Sequence, residues 1–276
     1  MQRCIPVNLL VLFEHWFSIG MTCVKWCNLW SSWYNLSCGI RQGGVLSPYL
    51  FAIYIDSLVD RVQTCGYGCY IRFICVSILL YADDILLVAP SVSSLQLLLH
   101  LCEKELDWLD LSINVKKSAC IRVGPRHNAK CKPITTLSGG ELIWVRTLRY
   151  LGVYISSDHV FRCSLCNSKK SFYRAFNCIY GKIGGVAPVN VIMELLKMKC
   201  LPCLYYALEA CPVNKSIMNS FEFVVNGVIR KIFCTKSNDV VNDCLLNFNC
   251  IVSDAIYRKK LDSYISLNIR TIRYAV

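Results

Sequence analysis

Hydrophobic residues follow two different patterns along the chain. Residues 1–158 alternate between short runs rich in β-branched and aromatic residues and segments whose apolar positions lie three or four residues apart, whereas residues 159–276 show mainly the helical spacing. Strand runs mixed with helices in one region, followed by helices alone, are typical of an α+β fold. The sequence therefore predicts an α+β protein with two regions that meet near residue 158.

Three helices are predicted in the first region. One covers residues 6–19, a second begins at Ser47-Pro48, and a third is capped by Ser91 or Ser93. A serine hydroxyl can accept a hydrogen bond from a free backbone N–H at a helix start, and proline fits the first turn because no donor is needed there. The second helix is therefore expected to start with a hydroxyl cap at Ser47.

Strands are predicted wherever Val, Ile, Phe, Tyr or Thr dominate a short run. Such runs cover residues 22–26 and 32–38, which are expected to pair as a hairpin. An edge strand is expected at residues 113–123, and a strand pair that bends near Gly152 is expected at residues 142–155.

Two adjacent carboxylates, Asp83 and Asp84, stand between the apolar runs 69–82 and 85–89. This arrangement predicts a β-hairpin with the two acids at its bend. Adjacent like charges repel, and a hard cation such as Mg²⁺, which prefers carboxylate oxygens, relieves the repulsion. An ordinary surface turn without a ligand accounts for the two acids equally well, so this motif alone leaves both interpretations open.

The composition excludes a disordered chain, because 55% of the residues are hydrophobic and only 17% are charged. The mean hydropathy of +0.42 raises the question of a membrane segment. The longest uncharged stretch, residues 85–102, contains Pro90 and several polar side chains, which makes it a poor membrane-spanning helix. No membrane association is expected.

The formal net charge of +12 is unevenly distributed. The stretch between Asp110 and Glu141 has no acidic residue but contains Lys116, Lys117, Arg122, Arg126, Lys130 and Lys132. A local excess of positive charge attracts phosphate backbones. It also fits the solvated surface of an ordinary basic protein, so charge alone does not decide between the two.

The 19 cysteines are scattered through apolar stretches and are expected to be reduced. An intracellular protein is expected, and the sequence does not distinguish the nucleus from the cytoplasm. Two pairs have the spacing of metal ligands, Cys163 with Cys166 and Cys200 with Cys203. No zinc site is expected at either pair.

Four motifs occur in a defined order, and together they are more specific than any one of them. They are the glycine-rich stretch at residues 41–51, Tyr81-Ala82-Asp83-Asp84, Asn114 with Lys117, and Tyr150-Leu151-Gly152-Val153. The ordered set resembles the reverse transcriptases (RNA-directed DNA polymerases) of non-LTR retrotransposons, the long interspersed elements. The resemblance covers about residues 5–158 and is weak in the helical tail.

The resemblance implies a role for each motif. It assigns catalysis to Asp83, Asp84 and Lys117, with Mg²⁺ bound by Asp83 and Asp84; template and nucleotide binding to Arg41, Gln42, Gly43 and Gly44; and the primer grip to Tyr150, Leu151 and Gly152. The implied partners are an RNA template, a DNA primer and deoxynucleotides. A simpler interpretation stays open for each motif. The glycine-rich stretch could be a plain loop before a helix, Lys117 a solvated lysine, and Tyr150 and Gly152 core residues of a bent strand pair.

The resemblance also implies the architecture. Residues 1–158 would form a partial polymerase palm, an antiparallel sheet with packed helices, and residues 159–276 a helical, thumb-like region. The family's palm needs a further aspartate at the end of an earlier strand, but Glu14 is the only acid before Gly39. We therefore expect a chain truncated at its N-terminus, without the fingers and the first aspartate strand. Such a chain should bind Mg²⁺ weakly and be inactive alone. The alternative is a catalytically dead nucleic-acid-binding remnant of a retrotransposon.

Overall fold

The computed structural model describes residues 6–36 and 43–273, with residues 265–273 as helical backbone only. The predicted α+β class is confirmed. The chain divides into two compact units, Met1–Ser112 and Ile113–Val276, which are called the N-terminal and C-terminal units below. Strands continue to residue 164 and helices follow from residue 166, so the change of pattern lies inside the C-terminal unit. The assignment of residues 1–158 and 159–276 to two functional domains stays a prediction.

Four helices lie in the described part of the N-terminal unit. They are α1 (Val7–Ser18), α2 (Ser47–Tyr54), α3 (Asp56–Thr64) and α4 (Val92–Trp108). The cap of α4 is confirmed, because the Ser91 hydroxyl accepts a hydrogen bond from the Ser94 backbone N–H at 3.0 Å. The predicted hydroxyl cap at Ser47 is wrong: Ser47 is already helical, and Leu46 takes the cap position without a side-chain hydrogen bond.

Helices α3 and α4 form the core of the N-terminal unit. Their buried faces contribute Leu58, Val62, Leu98, Leu99, Cys102 and Leu106. A salt bridge links the two helices, with Arg61 Nε 3.2 Å from Glu105 Oε1. Helix α1, by contrast, has no buried residue.

Short antiparallel hairpins make up the β-structure of the N-terminal unit. Strands β1 (Met21–Thr22) and β4 (Tyr34–Asn35) enclose β2 (Lys25–Trp26) and β3 (Leu29–Trp30), and they are followed by β5 (Tyr70–Ile71), β6 (Ile74–Cys75), β7 (Ile78–Tyr81) and β8 (Asp84–Leu87). The predicted pairing of residues 22–26 with residues 32–38 is confirmed only where Thr22 pairs with Tyr34. Lys25 and Trp26 pair with Trp30 and Leu29 instead, and residues 37 and 38 lie outside the described residues. The long strand at residues 69–82 is wrong, because Arg72, with φ of 55°, turns the chain back into a β5–β6 hairpin.

Two three-stranded sheets lie in the described part of the C-terminal unit. One is ordered β10 (Ile134–Thr135), β11 (Glu141–Trp144), β9 (Ala119–Cys120), and the other β12 (Thr147–Tyr150), β13 (Val153–Ser156), β14 (Arg162–Ser164). The expected strand at residues 113–123 is wrong except for β9, since the Lys117 and Ser118 backbone N–H groups fold back onto the Asn114 carbonyl. The β9–β11 pairing is parallel, which corrects the expectation of a purely antiparallel sheet.

Helices complete the C-terminal unit and supply most of the residues in its buried hydrophobic cluster. They are α5 (Cys166–Ile183), α6 (Val189–Leu195), a π-helical turn (Leu196–Cys200), α7 (Leu201–Leu204), α8 (Lys215–Ile232), α9 (Asn238–Asn247) and α10 (Val252–Arg273). Fully buried side chains at the centre include Phe172, Met193, Leu204, Phe221 and Ile229. No helix among the described residues combines the length and apolarity needed to cross a membrane.

Candidate active site and primer-grip hairpin

The two aspartates lie at the tip of the hairpin formed by β7 and β8. Tyr81 pairs with Asp84 across the hairpin, so Ala82 and Asp83 form a two-residue turn in which Ala82 adopts φ of 51°. Two-residue turns of this kind match the right-handed twist of the flanking strands. The predicted hairpin bend is confirmed, and both carboxylates are exposed at it.

The base of this hairpin is anchored in the core of the N-terminal unit. Ile78 is only 8% exposed, whereas Tyr81 at the tip is 64% exposed. Strand β7 packs against α3, and β8 packs against α4. Ser77 is fully buried beside Gly68, where a Cβ atom would overlap the serine side chain. A buried base and an exposed tip hold the two carboxylates at the end of a supported ribbon.

The two carboxylates at the tip are suitable ligands for a hard cation, but there are only two of them at this hairpin turn. Carboxylate oxygens are the ligands that Mg²⁺ prefers, and Mg²⁺ sites commonly use one or two carboxylates together with substrate phosphates and water. Asp83 and Asp84 are the residues that could hold it. Within the described residues there is no group of three or more His, Cys, Asp or Glu side chains that could enclose a metal ion.

The glycine-rich motif is described only in part. Arg41 and Gln42 lie outside the described residues. Gly43 has φ of +80°, a conformation that other residues adopt only with strain, and a Cβ built there would meet no atom within 4 Å. The Gly44 carbonyl accepts a hydrogen bond from the Ser47 N–H at 3.3 Å, which joins this loop to the start of α2.

Lys117 lies in a tight turn of the C-terminal unit. Its backbone N–H donates to the Asn114 side-chain oxygen at 3.2 Å and to the Asn114 carbonyl at 3.1 Å. The side chain of Lys117 is exposed. The spacing of Asn114 and Lys117 therefore has a local structural basis, because asparagine side chains favour such turns.

The Tyr150-Leu151-Gly152 motif forms the β12–β13 hairpin. Tyr150 pairs with Val153, and the turn residues Leu151 and Gly152 have φ values of 46° and 79°. Two positive φ values in a two-residue loop are typical of a type I′ turn, which suits a hairpin. The strand pair predicted at residues 142–155 is confirmed for β12 and β13, with a tight turn in place of the expected bend. Residues 142–144 belong to β11 in the other sheet.

Tyr206, which follows α7, supports this turn. The sequence analysis did not predict it as a site residue. Its hydroxyl donates a hydrogen bond to the Leu151 carbonyl at 3.0 Å. Its ring lies against Gly152, where a Cβ atom would come within 3.1 Å of Cε1. The two partners are 55 residues apart in the sequence, and no motif marks Tyr206, so only the fold reveals the contact.

Two thiols of the C-terminal unit have raised pKa values: Cys200, from the pair Cys200 and Cys203, and Cys211. The cysteines of the described residues are free thiols. Burial raises the pKa of Cys200 to about 11, so this thiol stays protonated near neutral pH. Burial, followed by a hydrogen bond with Cys163, raises the pKa of Cys211 to about 12.

Comparison with known proteins identifies the family. Residues 7–155 match the family described as Reverse transcriptase (RNA-dependent DNA polymerase). The chain belongs to the reverse transcriptase family. The matched segment contains the Asp83-Asp84 tip, the Lys117 turn and the Tyr150-Leu151-Gly152 turn, so the family match and the motifs cover the same region.

Two similar proteins indicate which group of reverse transcriptases the chain resembles. The chain is 28% identical over 202 residues to the Retrovirus-related Pol polyprotein from type-1 retrotransposable element R2 of Popillia japonica, and 22% identical over 204 residues to the RNA-directed DNA polymerase from mobile element jockey of Drosophila funebris. Both come from non-LTR elements, which confirms the group that the motifs indicated. Each alignment covers 71% of this chain but only 32% and 22% of the two relatives.

Proposed function

We propose that this reverse transcriptase chain contributes the carboxylate hairpin and the primer-grip hairpin to RNA-directed DNA synthesis. The observation that carries the proposal is the exposed Asp83-Asp84 pair at the tip of an anchored hairpin, inside the segment matched by the family. The name of the jockey relative, an RNA-directed DNA polymerase, supports the same reaction. In this proposal residues 1–158 belong to a partial palm and residues 159–276 to a thumb-like region.

The proposed roles follow from the chemistry of nucleotidyl transfer. Bound divalent cations would lower the pKa of the primer 3′-hydroxyl and neutralise charge on the triphosphate. Asp83 is the proposed direct metal ligand, and Asp84 a weaker ligand or electrostatic partner. Lys117 is proposed to lie near the leaving pyrophosphate and to donate a proton to it.

The remaining motifs would position the substrates. Gly43, with no side chain and open space around it, would let the backbone approach the pair formed by template base and nucleotide. Arg41, Gln42 and Gly44 belong to the same proposed binding loop. The turn at Tyr150, Leu151 and Gly152 would support the 3′ end of the primer.

We further propose that metal binding is weak and that the chain alone does not extend a primer. Two carboxylates at an exposed tip leave most of the near-octahedral coordination of Mg²⁺ to water and to substrate phosphates. The described residues place no third carboxylate beside Asp83 and Asp84, so two metal ions at this tip would lack a fixed common ligand among them. We therefore expect a Kd on the order of 1 mM for a divalent ion at this tip.

A titration with Mn²⁺, followed by the electron paramagnetic resonance signal of the free ion, tests the metal site. The double variant Asp83→Asn with Asp84→Asn should weaken binding by about tenfold or more, because both charged donors are lost. The matched control Asp107→Asn with Asp110→Asn removes two other exposed carboxylates of the same unit and should change binding little. Equal losses in the two double variants would contradict a site at the hairpin tip.

Primer extension with the same preparations tests the activity. A DNA primer on an RNA template should show no template-dependent product with the unaltered chain in Mg²⁺ or Mn²⁺. Extension that disappears in the Asp83→Asn variant would support the proposed catalytic role and refute the proposed inactivity.

Because only Asp83 and Asp84 are available as metal ligands at the hairpin tip, a second function is also a candidate. In this alternative the chain is a remnant that binds nucleic acid without catalysis. The acid-free basic stretch at residues 111–140 supports it. This candidate predicts binding of a primer–template duplex that falls steeply with salt and is unchanged by the Asp83→Asn and Asp84→Asn substitutions. Failure to bind the duplex at low salt would exclude it.

A further inference from the structure

Two cysteine thiols of the C-terminal unit are in contact although they are distant in the sequence. Cys163 lies in β14, where it pairs with Ile155 of β13, and Cys211 lies beyond α7. The two thiols are hydrogen-bonded to each other. Both are free, and neither belongs to the motifs that carry the family resemblance. The proposed function therefore leaves this pair without a role.

The packing of the sheet on the helices holds the two thiols together. Cys211 is 3% exposed within the buried cluster of the C-terminal unit, and Cys163 packs against the same cluster while staying partly exposed. Val153 also packs there, and it lies two residues from Ile155, the strand partner of Cys163. Alternate residues of a strand share one face, so this face of the sheet meets the helices. Thiols within hydrogen-bonding distance can be joined without a large movement of the backbone.

The two thiols differ in their access to water and in the proton they share. The pKa of Cys211 is raised to about 12, first by burial and then by the hydrogen bond with Cys163. A hydrogen bond raises the pKa of a group when it stabilises the protonated form, so the Cys211 S–H is the donor and the Cys163 sulfur the acceptor. Of the charged groups nearby, Glu209 raises this pKa and Lys260 lowers it. An oxidant in solution therefore meets Cys163 first.

We propose that Cys163 and Cys211 form a redox pair that a hydroperoxide converts into a disulfide. The Cys163 sulfur, as its thiolate, attacks one oxygen of hydrogen peroxide; the O–O bond breaks, Cys163 becomes a sulfenic acid, and one water leaves. The Cys211 sulfur then attacks the Cys163 sulfur, the S–O bond breaks, and the hydroxyl leaves with the Cys211 proton as a second water. Together the thiols lose two electrons and two protons, and one peroxide is reduced to two waters.

The disulfide would tie β14 to the segment that follows α7. Strand β14 pairs with β13, and the segment contains Tyr206, which supports the Leu151-Gly152 turn. Oxidation would therefore link two supports of the β12–β13 hairpin covalently, and a thiol reductant would release them. The bond also closes the chain between residues 163 and 211 into a loop. A closed loop restricts the unfolded chain, so the oxidised protein should resist unfolding more than the reduced one.

Peptide mapping after oxidation identifies the bond. The purified chain is treated with hydrogen peroxide at neutral pH, free thiols are blocked with N-ethylmaleimide in denaturing urea, and tryptic peptides are analysed by mass spectrometry. Trypsin leaves Cys163 on one peptide with Cys166, and Cys211 on another with Cys200 and Cys203. These two peptides should be found joined, fragmentation should locate the bond between Cys163 and Cys211, and dithiothreitol should separate them.

Matched variants test which thiols are responsible. Cys163→Ala and Cys211→Ala should each abolish the joined peptide. The control variant Cys166→Ala with Cys203→Ala removes the exposed thiols of the same two peptides and should keep it. Cys211 is buried and Cys163 only partly so, which makes Cys163→Ala the milder change; circular dichroism melting checks that each variant is folded. A joined peptide that persists in Cys163→Ala, or disappears in the control, would overturn the proposal.

Urea unfolding gives an independent readout. The oxidised chain should unfold at a urea midpoint roughly 1 M higher than the reduced chain, and this difference should vanish in Cys163→Ala. Peroxide that leaves Cys163 and Cys211 free for N-ethylmaleimide, or only joins cysteines of different molecules, refutes the redox pair. Oxidation in denaturing urea should give mixed pairings among the 19 cysteines. An equal yield of the bond between Cys163 and Cys211 there would show that the folded contact does not direct it, which also overturns the proposal.

Discussion

At the residue scale, backbone conformation determines which side chains the two hairpin turns accept. Ala82 and Leu151 both adopt positive φ, at 51° and 46°, which is uncommon for residues with a Cβ atom. Strain of this kind persists where the surrounding structure enforces it, and it clusters at functional sites. Both turns lie in motifs shared with the reverse transcriptase family, one carrying the carboxylates and the other the proposed primer grip.

Gly152 offers the sharpest test at this scale. The substitution Gly152→Ala places a Cβ at φ of +79° and within 3.1 Å of the Tyr206 ring, so we expect a loss of about 1–2 kcal/mol in the free energy of unfolding. Urea denaturation measures the change.

The control for Gly152 is another glycine of the same unit. Gly181→Ala lies in α5 with no atom within 4 Å of its Cβ, and it should stabilise the chain by about 0.5–1 kcal/mol, because alanine favours a helix. The same sign of change in both variants would contradict the proposed strain at the turn.

At the element scale, long periodic segments were predicted well and short strands poorly. Helix α4 has a repeating apolar face and a serine cap, and both signals are local, so the sequence located it correctly. The run at residues 69–82 has a uniform composition, and nothing in it marks the reversal at Arg72. Strands of two to four residues depend on which partner they find, and that choice is not encoded within the strand itself.

Adjacent leucines in α4 test the packing of that helix on α3. Leu98 is fully buried, and Leu97 next to it is 45% exposed. Leu98→Ala should lower the free energy of unfolding by about 2–5 kcal/mol through a lost contact and a new cavity. Leu97→Ala should cost less than about 1 kcal/mol, since most of its surface stays in water. Urea unfolding followed by circular dichroism compares the two, and similar losses would contradict the α3–α4 core.

At the scale of the whole molecule, buried cysteine thiols make the free energy of unfolding fall as the pH rises above 9. Burial raises the pKa of Cys102 from 9.0 to about 12, and burial raises those of Cys120 and Cys200 to about 11. Because these pKa values are raised in the folded chain, the contribution to stability is complete below pH 9. Between pH 9 and about 12 the unfolded chain releases protons that the folded chain keeps, so stability falls.

Urea unfolding at pH 8, 9 and 10 measures this loss. We expect Cys102 to contribute up to about 1.4 kcal/mol per pH unit above pH 9. Cys102→Ala should therefore reduce the pH dependence even though it lowers stability at pH 8. Cys166→Ala, at an exposed position, should leave the pH dependence unchanged. A Cys102→Ala variant with the original pH dependence would show that this thiol does not carry the effect.

The sequence by itself determined the class of the fold, helices α1 and α4, the hairpin that carries Asp83 and Asp84, and the reverse transcriptase family. These features depend on local periodicity, turn chemistry and the order of short motifs. Only the tertiary structure brought Tyr206 to the Leu151-Gly152 turn, and the Cys163 thiol to that of Cys211. Such contacts join residues distant in the sequence, and they form because the sheet and the helices of the C-terminal unit bury apolar side chains in one cluster, which fixes the groups beside it.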